Sequence, residues 1–388
     1  MIRRTDQGLL AHWWWTVDRL MLGLVLLLMF AGLVIIMAAS QGNADQAAFA
    51  RFQMVIKQLI FLGPAVVILI GTSFLSPKQI RRFAFGGLAV SVALMVAVLF
   101  VGAELNGSRR WLAIPFGTLQ PSEFVKPFLV VACAFLFAES QRRRDMPAVP
   151  MALGLLAVVC VLLILQPDFG QTLLTAAVWC GLFFLGGLSY FWIALMAAAG
   201  VVGIVAAYLA LPHVTSRIDR FLAPGSGDNY QVEKAIESIT SGGWLGRGPG
   251  EGVVIKNLPD SHTDYIFAVV AEEFGIAFCI LFAGLFAFII LRGLYFASRE
   301  RDGFVRLAVS GLMILFGLQA AINMAVSLNL IPSKGMTLPF ISSGGSSLLA
   351  MALCMGMAIG LMRRGVESGQ SLYSGTPGVP PTFASHQA

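Results

Sequence analysis

Charge is scarce in this chain: Asp, Glu, Lys and Arg make up 12% of 388 residues, about half the share usual in soluble domains. With 57% hydrophobic residues and a mean hydropathy of +0.82, that scarcity excludes an ordinary soluble globular protein. Cysteine is also sparse. Cys133, Cys160, Cys180, Cys279 and Cys354 all fall in apolar runs, with no CxxC pair and no histidine at metal-ligand spacing, so they read as small buried hydrophobes and indicate no redox compartment. No Walker-type phosphate loop and no dinucleotide fingerprint occurs, which argues against nucleotide-driven work. The net charge is +6, yet the basic residues are scattered over short links rather than gathered on one polar domain, so nucleic-acid binding is not expected.

What the chain has is long apolar runs. A bilayer core about 30 Å thick takes about 20 residues of helix. Ten runs of that kind lie near 17–40, 53–75, 83–103, 122–139, 148–166, 168–187, 189–211, 264–291, 304–330 and 345–362. The expectation is an all-α integral membrane protein of about ten transmembrane helices, with one long extracytoplasmic loop, 212–263, between helices 7 and 8. Residues 1–16 form a short N-terminal segment, 17–364 the membrane domain, and the Pro/Gly/Ser-rich stretch 365–388 a disordered tail. The "HWWW" flank and Arg19 read as an interfacial anchor that stays uncleaved. Of the 26 basic residues, 15 fall on the side of the N-terminus, so both termini should be cytoplasmic.

Four polar stretches then fall on the outer side. In "NGSRRWLAIPFGTLQPSEFVKP", Arg109 and Arg110 precede a short segment, Trp111 to Leu119, read as amphipathic and lying in the interface or re-entering. Glu123 and Lys126 are three apart, on one helix face. They form either a neutralising ion pair or a site in which Lys126 holds an anionic ligand that Glu123 orients, and spacing alone leans toward the pair. In "QPDFGQ", Asp168 reads as a helix cap, with a cavity-lining role for it and Gln171 as the alternative. The loop 212–263 carries Arg217, Arg220, Lys234, Arg247 and Lys256, a short helix within "DNYQVEKAIESITSGGW", and a glycine-rich turn, "GWLGRGPGEG", able to offer backbone N–H groups to a phosphate.

The same loop leads through "SHTD" into an apolar run. Asp264 opens that run as either a cap or a functional carboxylate, and Glu272 and Glu273 follow inside it as a buried polar network or ion pair. Eight residues of helix separate Asp264 from Glu272 by roughly 12 Å, beyond the separation of a glycosidase carboxylate pair. The last stretch, "PSKGMTLPFISSGGSS", ends in hydroxyl residues, Ser346 among them, able to bond either backbone or ligand.

In this order, "GSRRWL" with "QPSEFVK", "QPDFGQ", "SGGWLGRGPGEG", "LPDSHTDYIFAVVAEE" and "PFISSGGSS" resemble the SEDS family (FtsW, RodA, SpoVE) over residues 17 to 364. "IPSKGMTLPFISSGGSSL" is more similar to its cell-division branch, with a departure at Ser343, where many members carry Tyr. The resemblance implies an inner-membrane glycosyltransferase that polymerises lipid II into β-1,4 glycan strands. It implies that Asp264 is the catalytic acidic residue and that Glu123 and Lys126 are an essential pair. It further implies undecaprenyl pyrophosphate as leaving group, held by candidates among Lys126, Arg109, Arg110, Arg217 and Arg220. Implied partners are a class B penicillin-binding protein and other divisome proteins. No cofactor is certain; a divalent cation, Mg or Mn, at Asp264 stays open. The rivals are a lipid II flippase or transporter, a divisome scaffold, and a RodA-type role in elongation.

Overall fold

The computed structural model describes residues 8–41, 48–105, 108–114, 117–143, 145–187, 190–210, 212–222, 230–259, 261–332 and 335–363. The tail expected at 365–388 lies outside them. In chain order the helices are α1 (Leu9–Thr16), α2 (Arg19–Gln41), α3 (Ala48–Ser73), α4 (Pro77–Val101), α5 (Pro121–Arg142), α6 (Ala148–Leu165) and α7 (Phe169–Leu185). Then follow α8 (Tyr190–Ala210), α9 (Pro212–Leu222), α10 (Tyr230–Gly242), α11 (Ile266–Arg299), α12 (Gly303–Ser327) and α13 (Gly345–Leu361). Among the described residues, seven helices are long and apolar enough to cross a membrane, while α7, α13 and a stretch of α8 are apolar but shorter.

Local chemistry fixes the ends. Ser76 and Gln79 form a capping box before α4, with Pro77 inside the first turn, where its missing N–H costs nothing. Asp302 accepts the Phe304 and Val305 N–H groups at the start of α12. The N-terminal segment is not featureless: α1 packs Trp13 against Phe74 and bonds its indole N–H to the Ser73 hydroxyl. The bundle is layered by burial. The apolar window of α5 is 89% buried within the protein, against 22% for α3 and 28% for α4, so α5, α12 and α13 form the middle and the outer helices turn their side chains to lipid.

Three stretches take forms that the sequence reading did not give in full. The segment 111–119, expected to lie in the interface or re-enter, belongs to strands: β1 (Ala103–Leu105), β2 (Ser108–Ile114) and β3 (Gly117–Leu119) make a small antiparallel sheet in the order β1-β2-β3. The physical reason is in the sequence, since Pro115 and Gly117 both oppose a helix there. Within 212–263 the short helix expected in "DNYQVEKAIESITSGGW" is α10, and the sequence reading left out α9 and a 3₁₀ turn, Ile255–Asn257. Finally, the run after Asp264 is not one unbroken helix. At Gly275 the chain takes φ +85, a left-handed conformation, and α11 breaks there.

That break explains the glycine-rich turn. The Glu272 and Glu273 carbonyls, orphaned by the break, accept the N–H groups of Arg247 and Gly248 at 2.9 and 3.0 Å. On the far side, Ile276 and Ala277 donate to the Gly243 and Trp244 carbonyls at 3.0 and 3.2 Å. A broken helix at membrane depth stands only where other backbone satisfies the freed groups, and this turn does so for both halves. A side chain on Gly275 would collide with the Trp244 carbonyl.

Candidate functional site

Three polar clusters lie along one end of the bundle. The innermost is built on Lys126, which is 1% exposed. Its ammonium donates to Glu123 Oε2 at 2.9 Å, Gln171 Oε1 at 2.8 Å and Gln319 Oε1 at 3.2 Å, and Gln171 Nε2 returns a bond to Glu123 Oε1 at 2.7 Å. An ammonium has three protons, and all three have protein acceptors. Lys126 therefore ties α5 to α7 and α12, and holds no donor in reserve for a ligand in this conformation. Burial of the pair is compensated because both charges are paired and hydrogen-bonded.

The second cluster joins the sheet to the turn before α7. Asp168 caps α7 through the Gln171 N–H at 3.3 Å, and Arg110 lies 3.5 Å from its carboxylate while also donating to the Gln166 and Pro167 carbonyls. Burial pushes the Asp168 carboxyl up, with the Arg110 guanidinium opposing. Arg109 pairs with Glu104 across the strands, exposed. Ser346 donates to the Thr118 carbonyl at 3.1 Å and accepts the Gln120 N–H at 2.9 Å, so it pins the start of α5 to α13 rather than standing open for a ligand.

The third cluster is the turn 262–264. Three consecutive carbonyls are held from two directions. Ser343 donates to the His262 carbonyl through its N–H at 2.9 Å and its hydroxyl at 3.0 Å; the Ser342 hydroxyl donates to the Thr263 carbonyl at 2.6 Å. Asn323 on α12 donates to the Asp264 carbonyl at 3.0 Å and to the Met336 carbonyl at 2.6 Å. Asp264 is not the helix cap: α11 starts at Ile266 with Tyr265 in the cap position and no side-chain capping bond. The Asp264 side chain is half-buried beside Gly335, whose backbone is left-handed at φ +62 and on which a Cβ would meet Asp264 Oδ2 at 3.7 Å.

The other expected residues scatter. Lys256 is exposed on the 3₁₀ turn. Arg217 and Arg220 fall on α9, and their side chains lie outside the described residues. Glu272 does join a network, accepting the Val253, Val254 and Ile255 N–H groups at 2.6, 2.8 and 3.0 Å and the Ser238 hydroxyl. Within the glycine-rich turn 243–252, expected to offer N–H groups to a phosphate, those of Arg247 and Gly248 go to the Glu272 and Glu273 carbonyls, and the N–H groups that hold the Glu272 carboxylate come from the residues just after it. Glu273 is buried beside Glu272 and shares none of those four bonds. Sequence reasoning missed Gln319 and Asn323, although two amides four residues apart in an apolar span are a visible signal of an internal polar face.

Fold and site together define a multi-pass membrane protein whose polar motifs, far apart in sequence, converge on one end of its helix bundle. The chain belongs to the FtsW/RodA/SpoVE family of cell cycle proteins, whose model matches residues 18–365. It is 43% identical over 362 residues, 93% of both chains, to a probable peptidoglycan glycosyltransferase FtsW of Caulobacter vibrioides. A probable FtsW of Marinobacter nauticus is 36% identical over 86% of this chain and 85% of its own. Among solved structures, a chain of a peptidoglycan synthase complex that coordinates polymerization and crosslinking superposes with a TM-score of 0.71 at 26% identity, covering 89% of this chain and 97% of that one. The rod shape determining protein RodA of Thermus thermophilus gives a TM-score of 0.65 at 27% identity, over 90% of this chain and 98% of its own.

Proposed function

We propose that this chain is a peptidoglycan glycosyltransferase that polymerises lipid II in septal wall synthesis during cell division. The single observation that carries the reading is the turn 262–264, whose three carbonyls are fixed by Ser342, Ser343 and Asn323 while Asp264 projects beside the left-handed Gly335. A carboxylate on an immobilised backbone is suited to hold a reacting group in one geometry. Identity to probable FtsW proteins reaches 43%, against 27% to RodA, which favours the division role over elongation.

The donor is a glycan α-linked to undecaprenyl pyrophosphate, and the product linkage is β-1,4, so one inverting displacement suffices. Asp264 takes the proton of the acceptor's 4-hydroxyl as that oxygen attacks the donor's anomeric carbon. The bond from that carbon to the phosphate oxygen breaks, and undecaprenyl pyrophosphate leaves with the electron pair. Arg109, Arg217, Arg220 and Lys256 are the basic candidates for the leaving group's charge. Arg110 is committed to the 166–168 turn, and Lys126 and Glu123 act by holding the central helices. Among the described residues no three His, Cys, Asp or Glu side chains converge, so a Mg or Mn ion at Asp264 would draw its other ligands from pyrophosphate and water. Such an ion would neutralise charge on the leaving group.

On this reading the chain sits in the inner membrane with both termini cytoplasmic and Asp264 facing the periplasm, working with a class B penicillin-binding protein and other divisome proteins. The test supplies lipid II and a divalent cation to the protein purified with its candidate transpeptidase. Glycan polymer is the expected product. Lipid II crossing vesicle membranes with no polymer formed would replace this reading with a flippase.

A further inference from the structure

Away from that end of the bundle, the start of α2 and the last turns of α11 enclose a cavity of about 230 Å³, lined by Asp18, Arg292, Tyr295, Phe296, Arg299 and Glu300. Two apolar spans, Arg19–Ser40 and Ile266–Arg299, end here on the same side, so the cavity lies where hydrocarbon gives way to headgroups. Aromatic side chains mark the same level. The Arg19 guanidinium stacks 4.8 and 4.7 Å from the rings of Trp14 and Trp15, both part-exposed, as interfacial anchors do.

The wall carries a particular pattern of charge. Arg292 is held by Asp18 through Nε and Nη2, both at 3.0 Å, and Asp18 also accepts the Met21 N–H. The Arg299 guanidinium lies 4.4 Å over the Tyr295 ring and, among the described residues, pairs with no carboxylate. Glu300 gives one oxygen to the Asp302 N–H at 3.0 Å and, among the described residues, bonds nothing with the other. Two guanidinium groups against two carboxylates leave the wall neutral, a poor trap for a simple anion. A headgroup carrying both a phosphate and an ammonium matches it better: arginine forks suit phosphate, and a carboxylate suits the amine.

We propose that this cavity binds the phosphoethanolamine headgroup of a membrane phospholipid, with Arg292 and Arg299 on the phosphate and Glu300 on the ammonium. The lipid would brace the α1–α2 junction against the end of α11, the helix that carries the Gly275 break and follows Asp264. Native mass spectrometry of the full chain, released from nanodiscs holding equal phosphatidylethanolamine, phosphatidylglycerol and phosphatidylcholine, tests it. Wild type should retain one phosphatidylethanolamine in preference to the others. Arg299→Gln, which gives up only an exposed contact with Tyr295 and so keeps the fold, should lower that retention about tenfold. Glu300→Gln should erase the preference over phosphatidylglycerol. Equal retention of all three lipids by wild type, or unchanged retention in Arg299→Gln, would overturn the proposal. Displacement of the lipid by millimolar inorganic phosphate would do the same, since the occupant would then be a soluble anion.

Discussion

Asp264 and Glu272 stand eight residues apart in one stretch of chain, and the protein holds them in opposite ways. Glu272 is gripped by its side chain: three backbone N–H groups and the Ser238 hydroxyl converge on a fully buried carboxylate. Asp264 is gripped by its backbone. Its own carbonyl and the two before it are bonded to α12 and to the 342–343 turn, and its side chain is only half-buried. The Glu123–Lys126 pair belongs with Glu272, closed on all sides. In one case the protein fixes the carboxylate itself, and in the other it fixes the backbone that carries the carboxylate.

The difference can be broken most forcefully at Lys126. Lys126→Met leaves the Glu123 charge buried without its partner, which should cost about 3–5 kcal/mol and be read as a large fall in Tm. Polymerisation should fall only as far as folded protein does. A variant that folds at the wild-type Tm yet makes no polymer would show that the lysine meets substrate in another conformation. Glu272→Gln comes next. It weakens charge-assisted bonds to 253–255, about 1.5–3 kcal/mol, and should expose the 244–256 region to proteolysis before global unfolding.

Smaller effects sharpen the Asp264 side. Gly335→Ala places a Cβ on a left-handed residue at a cost of about 1 kcal/mol, and since that Cβ would stand 3.7 Å from Asp264 Oδ2, turnover should fall further than Tm. His262 gives the smallest. Burial lowers its pKa below 6.5, so the unfolded chain takes up its proton first, and stability should be full above pH 6.5 and decline as pH falls below it. Thermal melts from pH 7.5 to 5 should show that decline in wild type and less of it in His262→Asn.

Much of this was legible before any coordinates. Apolar length marked the membrane helices, seven of which among the described residues are long enough to span, and the turn residues of "SHTD" and "SSGGSS" marked two segments that bond to each other. What they do for each other was not legible, because it rests on contacts between distant segments: Gln319 meets Lys126 across 193 residues, and Ser343 meets His262 across 81. The break at Gly275 was hidden for the same reason. A glycine inside an apolar run reads as helix until a second segment, here 243–248, arrives to satisfy the freed carbonyls and N–H groups. The sheet at 103–119 was missed where hydrophobic content outweighed the Pro115 and Gly117 signals.

The most direct test is made on one preparation of Asp264→Asn, which keeps size and the backbone bonds while removing the charge. Its Tm and its lipid II polymerisation rate are measured together with its transpeptidase partner present. The account predicts a Tm close to wild type and a rate lower by about 10²-fold or more. Polymerisation near the wild-type rate, or a Tm that collapses along with it, would contradict the assignment of Asp264 to chemistry.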